Sequence, residues 1–176
     1  MGMMIDLRPD AGPALIVGGG AVATRKARGL AEAEFRMTVI APVIDEAIRA
    51  LPWVTVIERV FEASDLPWDT GYSLVFACTS SRAVNKEVGR LARAARIPVV
   101  VADSQPESTF FTPAVIRDGD LAIAVSTGGA SPTLARSIRE QIVAALGPGW
   151  GKVVGLARSE RLTRQAAKAP RRKDGA

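Results

Sequence analysis

The chain has 176 residues, 48% of them hydrophobic and 23% charged, which is enough for one sizeable core and a small second unit but not for two full domains. It holds no histidine and a single cysteine, Cys78. That composition excludes an internal disulfide, removes the commonest metal ligand, and leaves any proton transfer to carboxylate, hydroxyl, lysine or water.

The net charge of +5 is unevenly spread: residues 152–176 carry 8 Lys/Arg against 2 Asp/Glu, and residues 1–151 carry 15 against 16. The body is nearly neutral. The basic end RQAAKAPRRKDGA reads as a frayed, solubilising tail, and no nucleic-acid motif stands beside it. No apolar run reaches the length of a membrane span, and MGMMIDLRPD lacks the basic start and apolar stretch of a signal peptide, so a cytoplasmic protein with no membrane partner is expected.

In chain order, ALIV at 14–17 predicts a buried strand, and 22–33 a helix with Arg25, Lys26 and Arg28 interrupting its apolar positions. MTVIA at 37–41 is a second strand stopped by Pro42, VIDEAIRAL a short helix, VTVIERV a third strand and SLVFACT a fourth, which places Cys78 in the core. Residues 82–95 predict a helix with Val84, Val88 and Leu91 on one face, and IPVVVA a fifth strand, almost wholly apolar as central parallel strands are. This alternation predicts a doubly wound parallel α/β sheet. After Asp103 the pattern changes. AVIRDGDLAIAV reads as a β-hairpin turning at Asp118, Gly119 and Asp120. STGGASP then leads to a helix with Ser131 as N-cap, Pro132 in its first turn, and Leu134, Ile138, Ile142 and Leu146 along one face. Gly147 ends that helix, and 152–164 add a weaker one.

Between the first strand and the first helix stand three glycines. Gly18, Gly20 and Ala23 spell G-x-G-x-x-A, in which the first glycine permits a tight turn, the second clears the approach of a pyrophosphate and the small third residue lets helix and strand pack. The bland alternative is a turn that is merely tight; the surrounding strand–helix alternation favours a dinucleotide. The second strand ends without an acidic side chain for a ribose hydroxyl, leaving backbone and apolar surface around Pro42 and Val43 to hold adenosine. Ser126, Thr127 and Ser131, with the backbone of Gly128 and Gly129, form a loop suited to carboxylates at a helix start, or simply a hairpin-to-helix turn. From the residues alone, Asp103 is either a turn-capping aspartate or a functional carboxylate at the end of a parallel strand.

Three blocks, GGGAVATRKA at 18–27, VFACTSSRAVNKEV at 75–88 and VADSQPESTFFTPAVIRDGDLAIAVSTGGASPTLAR at 101–136, together resemble the precorrin-2 dehydrogenase family. The resemblance implies oxidation of precorrin-2 to sirohydrochlorin with NAD, in siroheme or cobalamin synthesis. It implies a Rossmann-like doubly wound sheet over 1–103, a small α+β dimerisation and substrate unit over 104–147, and a shortened helical C-terminus with the basic tail over 148–176. A homodimer is implied too. Its catalytic aspartate matches Asp103, and its dinucleotide contacts match Gly18, Gly20, Ala21, Val22, Pro42 and Val43; no metal ligand is implied. Glu34-Phe35 stands where relatives close the first helix with Gly-Ala, and Thr127 stands where the bifunctional siroheme synthase has a serine that is phosphorylated. Two further readings compete: a bifunctional dehydrogenase and ferrochelatase, and an NAD-sensing module without turnover.

Overall fold

The structure, a computed structural model, describes residues 2–168. Its contacts divide the chain into two compact units, with the division between Phe111 and Thr112.

The first unit contains β1 (Ala14–Val17), α1 (Ala21–Glu32), β2 (Met37–Ile40), α2 (Glu46–Arg49), β3 (Val54–Ile57), β4 (Leu74–Ala77), α3 (Arg82–Ala94) and β5 (Val99–Val101). All five strands are parallel in the order β3-β2-β1-β4-β5, so the sheet is doubly wound with its switch point between β1 and β4. β1 is buried along its whole length. Alternate residues of the strands feed two cores: Ile16, Phe76 and Cys78 pack beneath Ala23 and Ala27 of α1, while Leu15, Val17 and Val75 pack beneath Val88 and Ala92 of α3. Each large side chain buried in this way stabilises the fold by about 2 kcal/mol.

Three departures from expectation have a structural cause in the first unit. α2 is a single turn, started by the Asp45 carboxylate accepting from the Ala47 N–H at 2.9 Å. β3 stops at Ile57 rather than Val60, because Glu58 pairs with Arg49 and Arg59 with Asp65, which turns the chain out of the sheet. Residues 104–111, expected to open the second unit, fold with the first. Their role is to close the outer edge of β5: the N–H of Val99 donates to Thr109 Oγ1 at 2.8 Å, and that of Val101 to Ser108 Oγ at 2.9 Å. Two side-chain hydroxyls thus satisfy edge donors that a sixth strand would otherwise take. Phe110 then meets Phe76 edge-on, with 5.7 Å between ring centroids.

Both crossover helices end without glycine yet adopt the glycine geometry. Glu34 follows α1 at φ 60° and Arg96 follows α3 at φ 59°. Around Glu34, Phe35 N–H reaches Leu30 O and Glu34 N–H reaches Ala31 O; around Arg96, Ile97 reaches Ala92 and Arg96 reaches Arg93. Both are Schellman closures. The left-handed residue for which Glu34-Phe35 offers no glycine is therefore present, supplied by Glu34 itself.

The second unit contains the hairpin β6 (Ala114–Asp118) and β7 (Leu121–Val125), then α4 (Pro132–Leu146) and α5 (Trp150–Lys168). α4 lies on the hairpin, but only Ala135 along it is buried; Ile138 and Ile142 are half-buried, and Leu134 and Leu146 are 52% and 37% exposed. The expected apolar stripe is there and is only partly covered. α5 is longer than expected and takes in Gln165 to Lys168, which the sequence assigned to the frayed tail; the remainder of that tail lies outside the described residues. The start of α5 is fixed by the hairpin. Asp118 accepts from the backbone N–H groups of Gly151, Gly149 and Trp150, which hold its carboxyl below the usual range. Among the described residues no helix is long and apolar enough to cross a membrane.

Candidate functional site

The β1–α1 turn explains its three glycines one at a time. Gly18, at φ 124°, passes so close to the end of β4 that a Cβ would stand 2.4 Å from Cys78 O. Gly19 is crossed by the chain leaving β2: a Cβ would stand 2.1 Å from Val43 O, and its carbonyl accepts from the Asp45 N–H at 2.9 Å. Gly20 differs from both. It is the N-cap of α1 in an extended conformation, no side chain caps the helix, and a Cβ there would meet nothing within 4 Å. The first-turn N–H groups of a helix lack intrahelical acceptors, so Ala21 and Val22 present donors towards the open space that Gly20 leaves. That is the geometry an anion such as a pyrophosphate fits. The sequence motivates Gly18 and Gly20; it misses Gly19, and the unbroken run of three is the one trace of it.

Pro42 and Val43 come one residue after β2, beyond the buried Ala41, and are exposed, Val43 to 78%. They supply apolar surface beside the turn. The nearest carboxylate along the chain, Asp45, is committed to the start of α2.

On the other side of the switch point, the loop after β4 is held from below by Asn85, a fully buried amide on α3. Its Oδ1 accepts from Thr79 N–H at 2.9 Å and from Thr79 Oγ1 at 2.8 Å, and its Nδ2 donates to Thr79 O at 3.0 Å. A polar side chain on the buried face of a helix signals such a bond network, and Asn85 beside Val84 and Val88 is that signal in the sequence. Cys78 is 8% exposed. Burial pushes its thiol up to about 11, with Asp103 reinforcing the shift and Lys26 and Arg25 opposing it, so near neutral pH it is a protonated core group and no nucleophile. Lys26 stands with its Nζ 5.7 Å from the Phe76 ring centroid, and burial lowers its pKa.

Asp103 comes just after β5, one residue past Ala102, whose N–H still donates to Ala77 O. It therefore lies at the carboxyl end of the sheet, where ligands of open α/β sheets bind. Its side chain is 37% exposed and its Oδ1 is 3.7 Å from Nη1 of Arg82.

The second unit contains the other expected site residues. Gly128 and Gly129 take φ of 63° and 83°, and the loop closes on its own hydroxyls. Thr127 Oγ1 accepts from the Ser131 N–H and donates to Ser131 O; Ser126 Oγ accepts from Gly128 N–H, and Ser131 Oγ caps α4 through Leu134 N–H. Thr127 spends its hydroxyl entirely within the loop. Ser126 and Ser131 act there as acceptors, and each carries a proton that can be donated outward. Among the described residues no group of three or more His, Cys, Asp or Glu is placed to hold a metal ion.

Two family models match the chain: one described as putative NAD(P)-binding over residues 4–114, and one described as sirohaem biosynthesis protein central over residues 118–145. Among similar curated proteins, the siroheme synthase of Gluconobacter oxydans is 39% identical over 163 residues, covering 89% of this chain and 34% of that protein. That of Methylococcus capsulatus is 41% identical over 165 residues, covering 90% and 34%. The chain thus spans about a third of the length of the curated relatives it matches. Among solved structures, SirC, a precorrin-2 dehydrogenase, superposes with a TM-score of 0.71 at 26% identity, covering 97% of this chain and 83% of that one.

Proposed function

This chain belongs to the putative NAD(P)-binding family matched over residues 4–114, and from that premise we propose that it dehydrogenates precorrin-2 to sirohydrochlorin with NAD. The observation that carries the reading is the likeness to SirC, which runs through both units, taken together with a turn whose Gly20 leaves open space before an uncapped helix start. Bound there, NAD supplies the hydride acceptor for the substrate ring.

The chain's own residues do the rest. Gly18 makes the tight turn that lets Gly20 bring bare backbone to the pyrophosphate, Ala21 and Val22 offer N–H donors to it, and Pro42 and Val43 line the adenosine end. Asp103 receives or relays the proton that leaves with the hydride, or orients the macrocycle so that the donor carbon faces the nicotinamide. In the second unit, the loop of Ser126, Thr127, Gly128, Gly129 and Ser131 meets the substrate's carboxylates through the hydroxyl protons of Ser126 and Ser131, while Thr127 and the two glycines set the loop's shape.

The same reading makes the protein a cytoplasmic homodimer. The second unit exposes Leu134, Val143, Trp150, Val153 and Leu156, a set of side chains that a second copy would cover; sedimentation at micromolar concentration should give twice the chain mass, and a monomer would contradict it. Iron insertion into sirohydrochlorin is the second reading, favoured by the siroheme synthases among the relatives.

The test is anaerobic. Precorrin-2 with protein and NAD should yield sirohydrochlorin and NADH in equal amounts, and no turnover sinks the proposal. Asp103→Ala should lose on the order of 10²-fold in rate with NAD affinity kept. Asp103→Asn separates the two roles: equal loss means proton transfer, and a near-normal rate means positioning. Ferrochelation above the spontaneous rate, lost in Asp103→Ala, would establish the second reading.

A further inference from the structure

Arg82 occupies a position that helix electrostatics disfavours. It is the first residue of α3, where a cation meets the positive end of the helix dipole, and the first turn of α3 contains no acidic residue to offset it. The offset comes from elsewhere in the chain. The guanidinium reaches the segment after β5, forming a close ion pair with Glu107 through Nη2 and standing 3.7 Å from Asp103 Oδ1 through Nη1. Both carboxylates raise the pKa of Arg82, Glu107 first.

Everything around this fork is fixed. Ser81 caps α3 through Val84 N–H, and Asn85 ties the preceding loop down. Opposite, Arg93 donates to Glu107 O at 3.1 Å and to Pro106 O at 2.9 Å, and Ser108 and Thr109 bind the segment to the edge of β5. The backbone on either side of Asp103 is thus held without help from its carboxylate. Among the described residues that carboxylate forms one ion pair, the one to Arg82.

Resting on the reading of Asp103 given above, we propose that Arg82 is a positioning residue for the reaction: Glu107 aims its guanidinium, and the free arm of the fork holds the Asp103 carboxylate in one orientation at the carboxyl end of the sheet. A half-exposed pair at this spacing adds little to folding, so its loss shows in turnover and not in stability. Glu107 fills a different role from Asp103, since it lies against Arg82 and orients the arginine.

A double-mutant cycle tests this. Arg82→Ala should lower kcat about tenfold while KM for precorrin-2 and NAD affinity stay within about twofold. Arg82→Lys, which keeps the charge but not the fork, should recover part of the loss. In an Asp103→Ala background the same Arg82→Ala change should cost nothing further, because the group it positions is gone. Losses that multiply in the double variant overturn the assignment, as does an Arg82→Ala variant whose NAD affinity falls in step with its rate. An Asp103→Ala variant with the wild-type rate overturns the reading of Asp103 and the assignment together. Crystal structures of the wild type and of Arg82→Ala supply a readout that needs no activity. Asp103 should occupy one rotamer in the first and several in the second; a single unchanged rotamer in both overturns the assignment even where precorrin-2 is not turned over at all.

Discussion

At the β1–α1 turn the helix starts on Gly20 with no side-chain cap, whereas at the β7–α4 turn it starts on Ser131, whose hydroxyl accepts from the Leu134 N–H. Both turns are rich in glycine and both lead from a strand into a helix. In the second, Ser126 and Thr127 close the loop on itself and the glycines serve left-handed backbone at φ 63° and 83°. In the first, Gly18 and Gly19 serve close backbone contacts, and Gly20 alone faces open space. The number of glycines is therefore a poor guide to an anion site built on helix-start N–H groups. What decides for such a site is whether those backbone donors are already spent within the protein, as one of them is on Ser131 but none on a side chain at Gly20.

Gly19→Ala should have the largest effect, because its Cβ would meet backbone at 2.1 Å. Moving the chain after β2 should cost about 3 kcal/mol, measured by urea denaturation; an unchanged midpoint would mean that this chain segment yields freely. Gly20→Val comes next. It should lower NAD affinity on the order of 100-fold, about 2.7 kcal/mol, with the fold retained because its Cβ meets only open space; calorimetric titration reads the first and thermal melting the second. Retained affinity would take the turn out of the site. Ser131→Ala should cost about 1 kcal/mol of stability through the lost cap while leaving NAD affinity unchanged, and a change in that affinity would break the contrast between the two turns. Gly20→Ser should do the reverse on a smaller scale: a few tenths of a kcal/mol gained from a new cap, and weaker NAD binding as the cap competes for the same donors. At the other end of α1, Glu34→Gly relieves a left-handed residue and should stabilise by up to about 1 kcal/mol; a loss would show that the Glu34 side chain repays its own strain.

The strand–helix alternation, the parallel sheet, the hairpin at 114–125 and the Ser131 cap were all legible in the amino-acid order, because each depends on the period of apolar residues or on a side chain acting within four positions of itself. The first strand needed no revision, α1 shifted by one residue at both ends and α3 by one at its C-terminal end. The place of Gly20 at the start of the first helix was legible as well, since a glycine between a strand and a helix marks such a start. Long-range contacts decided the remainder. That residues 104–111 belong to the first unit follows from Ser108 and Thr109 meeting the β5 edge, and nothing in STFF by itself announces a missing strand. The need for Gly19 arises where the chain after β2 crosses it. Glu34 and Arg96 show that a tertiary closure imposes left-handed backbone on residues whose own preference opposes it, since the hydrogen bonds and buried apolar contacts of the closure outweigh about 1 kcal/mol of local strain. Periodicity located the apolar stripe of α4 but not how much of it the hairpin covers, and the fork from Arg82 to Asp103 and Glu107 joins residues about twenty positions apart, a distance only the fold can close.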